Sequence, residues 1–120
     1  MTTEELATFQ SEKMPGFIAA WFDRIKERVG YAESVTAFDQ EIMDLAAAAV
    51  SDMLTGGVPE ALFAIGGTID TRILNTITLY VNAYIEHDRS DTRKYTDLFH
   101  RQVMKLSLED GGGWDVDESD

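Results

Sequence analysis

The 120-residue chain contains no cysteine, which excludes disulfides and thiolate metal ligands and fits a reducing compartment. Histidine is nearly as scarce. His87 and His100 are too few and too far apart for a zinc site without cysteine or an H-E-x-x-H pattern, so no metal is expected. Proline occurs only at positions 15 and 59, leaving long stretches free to form helix. No apolar run approaches the ~18 residues of a membrane span, and the N-terminus MTTEELATF is acidic where a signal peptide would be basic. The expectation is a soluble protein, cytoplasmic when made, with no membrane partner. Basic residues are also few. Against 22 acidic side chains stand 10 basic ones, a net charge of −12, which argues against autonomous binding to DNA or to an anionic membrane through a basic patch.

That charge is uneven. Residues 109–120 (EDGGGWDVDESD) carry six carboxylates and no base, leaving 16 acids and 10 bases on residues 1–108. Chemistry is equally sparse. The pairs Gly56-Gly57 and Gly66-Gly67 lack the Lys-Ser/Thr of a phosphate loop and the spacing of a dinucleotide fingerprint, so they read as turns and caps and imply no cofactor. Asp110, Asp115 and Asp117 do not have calcium-loop spacing. No acid sits in the apolar context that would tune it for proton transfer, so no catalytic residue is assigned and the chain is not read as an enzyme.

What the chain does have is helical periodicity. Hydrophobic residues make up 44% of it, enough for one domain that buries roughly two-thirds of its unfolded surface. The central stretch is 70–108. Ile69, Ile73, Ile77, Tyr80, Val81 and Tyr84, then Tyr95, Leu98, Phe99, Gln102 or Val103, and Leu106, recur in steps that mark one face of a helix. The polar break His87–Asp91 turns the chain between the two helices, predicting an antiparallel hairpin with Asp70 capping its first helix and Ser90 or Asp91 its second. The β-branched residues around Ile73–Val81 favour strand by propensity, but the 3.6-residue period outweighs them.

Upstream, Leu6, Phe9 and Lys13 share a face in a short helix ending before Pro15-Gly16. Phe17, Trp21, Ile25 and Val29 form the stripe of a second helix that stops at Gly30, with Lys26 and Arg28 near its C-terminal end. Thr36 and Asp39 resemble a capping arrangement for a third helix. That helix runs to Gly56-Gly57 with Phe38, Ile42, Leu45, Ala46, Ala49 and Met53 inward, and Ala46–Ala49 leave room for a close neighbour. After Pro59, PEALFAI forms one or two turns. The predicted fold is all-α, a small bundle of about four to five helices with a C-terminal antiparallel helical hairpin and a flexible acidic tail. Its parts are an N-terminal extension over 1–16, a helical domain over 17–108 and the tail over 109–120. The expected core is Trp21, Ile25, Ile42, Leu45, Ala49, Ile73, Ile77, Val81, Leu98 and Phe99. Trp21, Phe22, Leu74, Leu79 and Ile85 form an apolar girdle beyond it.

Tail residue Trp114, set behind Gly111-Gly112-Gly113 and beside Asp115 and Asp117, is the candidate docking group. An amphipathic ring on a flexible acidic arm either folds back on the domain or fills a partner's pocket while the carboxylates meet basic residues around it.

Four segments carry a resemblance: Phe22–Gly30, Phe38–Ala49, Asp70–Ala83 with its Ile77-Thr78-Leu79-Tyr80-Val81 centre, and Tyr95–Leu108 with its Met104-Lys105-Leu106-Ser107-Leu108 ending. Together the pattern resembles the head-tail connector (adaptor) proteins of long-tailed bacteriophages over roughly residues 20–108. The resemblance implies a virion structural protein, made in the host cytoplasm and located in the capsid neck. It further implies a ring, usually of twelve copies, under the portal protein, extending the DNA channel without specific DNA binding and docking the next head-completion or tail protein. An acidic channel lining suits that role, since it repels phosphates where a basic one would retain them. The alternative reading is a small acidic helical regulator or DNA mimic that binds a basic partner.

Overall fold

A computed structural model describes residues 2–63, 70–85 and 92–108. Among these residues the chain forms five α-helices and no strand: α1 (Thr3–Glu12), α2 (Met14–Val29), α3 (Asp39–Thr55), α4 (Thr71–Tyr84) and α5 (Thr92–Ser107), with a single 3₁₀ turn at Glu60–Leu62. The helical period therefore prevails over β propensity through Ile73–Val81. The buried and half-buried Thr76 and Thr78 hydroxyls are satisfied within the helix, donating to the Arg72 and Leu74 carbonyls at 2.7 and 2.8 Å.

Local signals set most helix ends. The Thr2 side chain accepts from the Glu5 N–H while Glu5 reaches back to the Thr2 N–H, a complete capping box for α1. Asp70 caps α4 by accepting from the Arg72 N–H at 2.9 Å. Gly30 ends α2 in the left-handed region at φ 110°, where a Cβ would be strained. Two boundaries differ from expectation. Helix α2 starts at Met14, ahead of Phe17, because Pro15 in a first turn removes an N–H that has no intrahelical acceptor anyway. Residue Phe38, not Thr36 or Asp39, occupies the N-cap of α3 and makes no side-chain bond; Thr36 contributes only its carbonyl, accepting from the Asp39 N–H. The expected α5 caps, Ser90 and Asp91, and the turn containing His87 lie outside the described residues, as does Ile69.

Helix α4 is the axis of the bundle, packed against α2, α3 and, most extensively, α5; α1 lies on α2 and α3. Surrounded in this way, α4 buries more than one stripe. Ile73, Leu74, Ile77 and Val81 are fully buried, and so is Ile85 just beyond its end. Leu74 and Ile85 are thus core residues and not part of an outer girdle, whereas Trp21, Phe22 and Leu79 are partly buried. Of the expected core, Ile25, Ile42, Ala49, Ile73, Ile77, Val81 and Phe99 are buried, while Trp21, Leu45 and Leu98 are half-buried.

Residue Phe9 of α1 enters the same core. Its ring and that of Phe17 both meet Phe63 edge-on, at 6.0 and 5.5 Å between centroids. The first two helices and the distant segment after the 3₁₀ turn are held together by apolar burial and favourable ring geometry. Gln10 also donates to the Ser51 hydroxyl at 2.9 Å, joining α1 to α3, and Arg28 donates to the Asn75 side-chain oxygen, joining α2 to α4.

Candidate functional site

The described surface holds two chemically opposed faces. Helix α3 carries Asp39, Glu41, Asp44 and Asp52 and no base. Glu41, Asp44, Leu45 and Asp52 share one side of it at helical spacing. Where that side meets α4, Glu41, Asp44, Leu45, Tyr80 and Tyr84 line a groove of about 510 Å³. Its floor is aromatic. Tyr80 and Tyr84 lie 4.9 Å apart between ring centroids, and Phe99 of α5 supports Tyr80 edge-on at 5.0 Å. Tyr84, expected on the buried stripe, is instead 41% exposed, because it sits at the end of α4. Burial, the Asp52 carboxylate and Tyr84 all push the Tyr80 phenol above its ordinary pKa, so it stays neutral and able to donate at physiological pH.

Helix α5 has the opposite sign. It carries Arg93, Lys94, Arg101 and Lys105 against the single acid Asp97, and these side chains, with His100, are exposed. Phe99, Val103 and Leu106 turn inward. Met104 and Leu108 turn outward and are 69% and 83% exposed. The spacing 101, 104, 105, 108 places two cations and two large apolar groups on one face.

A third feature is internal. The Lys26 side chain is only 4% exposed and lies 2.9 Å from Asp39 Oδ1, and its Nζ donates to the Glu33 carbonyl at 3.0 Å. One ammonium thereby joins α2, the following loop and the start of α3. A concavity of about 370 Å³ beside it is lined by Asp23, Lys26, Glu27, Tyr31, Ala32 and Glu33. At the other end, Lys13 pairs with Glu60 at 2.7 Å on the surface, which raises the Lys13 pKa. Neither place gathers catalytic groups. Trp21 keeps its indole N–H shielded and without an acceptor among the described residues, while the Arg24 guanidinium lies 5.8 Å above its ring.

Among the described residues no group of three or more His, Asp or Glu side chains is placed to hold a metal ion, and no helix is long and apolar enough to cross a membrane. The predicted docking residues Trp114, Asp115 and Asp117 lie outside the described residues. The groove between α3 and α4 was not foreseen. Its residues come from two helices, and only the fold brings them together; the acid-rich composition of α3 and the cation-rich composition of α5 were the available signals.

Residues 21–113 match a family model described as Phage connector protein. The match runs from within α2 past the end of α5, spanning most of the chain. No curated protein and no solved structure matches the chain. On the family match, the chain belongs to the phage connector family.

Proposed function

We propose that this phage connector is a head-tail connector (adaptor) that forms a closed ring, of twelve copies by analogy, under the portal protein. There it extends the DNA channel and receives the next head-completion or tail protein. The family match over residues 21–113 carries this reading. The electrostatics agree with it: a net charge of −12 lets DNA pass without adhering, because carboxylates repel phosphates. The rival reading as a DNA mimic fits less well. A mimic presents ordered carboxylates to a basic partner, whereas this domain also carries a cationic helix, α5.

The tail is assigned the contact with the portal. Trp114 fills an apolar pocket on that partner, and Asp115 and Asp117 meet basic groups at its rim. The test is attachment of purified protein to DNA-filled, portal-bearing heads. Deleting residues 110–120 leaves thermal unfolding nearly unchanged but reduces attachment, and Trp114→Ala reproduces much of the loss. Full attachment by the truncated chain would make the tail a solubilising extension.

A further inference from the structure

The two opposed faces raise the question of what covers them. The groove formed by Glu41, Asp44, Leu45, Tyr80 and Tyr84 is apolar at its floor and acidic at its rim. The outward face of α5 has the complementary make-up, with Met104 and Leu108 as exposed apolar groups and Arg101 and Lys105 beside them. The acidic tail is a poor occupant for the groove, because six carboxylates would approach Glu41 and Asp44 with like charge.

Val103 and Ser107 of α5 lie against Gly56 and Gly57, at the C-terminal end of α3. Leu45 lies 11 residues earlier on α3, a separation of about 16 Å at 1.5 Å per residue. Met104 and Leu108 stay 69% and 83% exposed, so the subunit's own groove does not cover them, and the two faces are unlike in chemistry. A contact between unlike faces forms either a twofold pair or a front-to-back series, and the ring reading selects the second, heterologous arrangement, which closes by rotation.

We infer that a second copy of this chain occupies the α3–α4 groove, inserting Met104 and Leu108 between Leu45, Tyr80 and Tyr84 while Arg101 and Lys105 pair with Glu41 and Asp44. The inference rests on the ring reading and gives its subunit interface. Burial of the two apolar side chains supplies the main stabilisation, and the charge pairs set register and direction.

The absence of cysteine permits cross-linking without background. Tyr84→Cys and Met104→Cys are introduced together in the full-length chain, and neck assemblies are treated with a short bis-maleimide. The double variant yields a ladder of dimers, trimers and larger species. Each single variant stays monomeric, and an equal mixture of the two stops at dimers. Reversing the groove charges with Glu41→Lys and Asp44→Lys reduces the larger species about tenfold or more, and adding Arg101→Glu and Lys105→Glu in the same chain restores them. Deleting residues 109–120 lowers the amount of this chain on the necks, but the assemblies that retain it give the same ladder. Dimers from Met104→Cys alone, loss of the ladder from tail-deleted assemblies that still hold this chain, or indifference to charge reversal would each overturn the assignment. So would absence of the ladder from assemblies in which electron microscopy shows a ring of this chain, with the ring itself left standing. Assemblies with no such ring would remove both.

Discussion

Replacing Gly56 by alanine sets two physical effects against each other. Gly56 caps α3 at φ −78° and ψ 0°, a conformation that alanine adopts freely, so on chain entropy alone the substitution would stabilise by about 0.4–1 kcal/mol. Space opposes it. An added Cβ would lie 2.6 Å from Val103 Cγ1 and 3.3 Å from the Asp52 carbonyl oxygen. Val103 is branched at Cβ and 8% exposed, so its methyl has little freedom to swing aside and α5 must move away from α3. Overpacking of this kind costs about 1–3 kcal/mol, which makes Gly56→Ala destabilising in the native background. Val103→Ala removes the obstructing methyl. Alone it costs roughly 1.6 kcal/mol for two buried carbons, but in its presence Gly56→Ala becomes stabilising by about 0.4–1 kcal/mol. Urea unfolding of the four proteins, followed by circular dichroism, gives the cycle, whose coupling energy is about 1–3 kcal/mol. An effect of the same sign in both backgrounds, with coupling below about 0.5 kcal/mol, would refute close packing of α5 on the end of α3.

Three further perturbations probe other parts of the bundle. Ile77→Ala empties a fully buried position in α4 and is expected to cost about 2–5 kcal/mol in urea unfolding. For Asp70, burial raises the carboxyl pKa, but the Arg72 side-chain and backbone hydrogen bonds outweigh it and leave the group below its ordinary value. With its folded pKa depressed, its stabilisation is fully present above the unfolded value and is lost as pH falls through the folded one. Asp70→Ala should accordingly cost about 0.5–2 kcal/mol at neutral pH and flatten the acid limb of a stability–pH curve. Lys26→Met removes the ammonium that joins α2 to α3, and thermal unfolding should register about 1–3 kcal/mol. That is less than the loss of a fully buried pair, because the Asp39 side chain as a whole is 26% exposed.

The helices were legible where local chemistry specifies them. Asp70 and Gly30 are short-range signals, and the periodicity of 70–108 placed Ile73, Ile77, Val81 and Phe99 inward because each helix has a single strongest apolar stripe. What escaped depends on neighbours. Leu74 and Ile85 lie off that stripe and look superficial until α4 is seen enclosed by α2, α3 and α5. Phe9 and Phe63 are separated by more than half a domain of sequence, so no window of periodicity links them. The Met104–Leu108 segment shows the same limit in miniature. Leu106 is buried while its neighbours Met104 and Leu108 face outward, a division set by which side of α5 meets α4. The acidic composition of α3 was visible from the start, but its conversion into an apolar groove with a charged rim needed Tyr80 and Tyr84 of α4 beside it.

Electron cryo-microscopy of intact virions tests the connector role most directly. If the reading is right, a closed ring of this chain, its five helices recognisable in each subunit, lies between the portal and the first tail component and surrounds the DNA channel. A well-resolved neck with no density for this chain between portal and tail would contradict it.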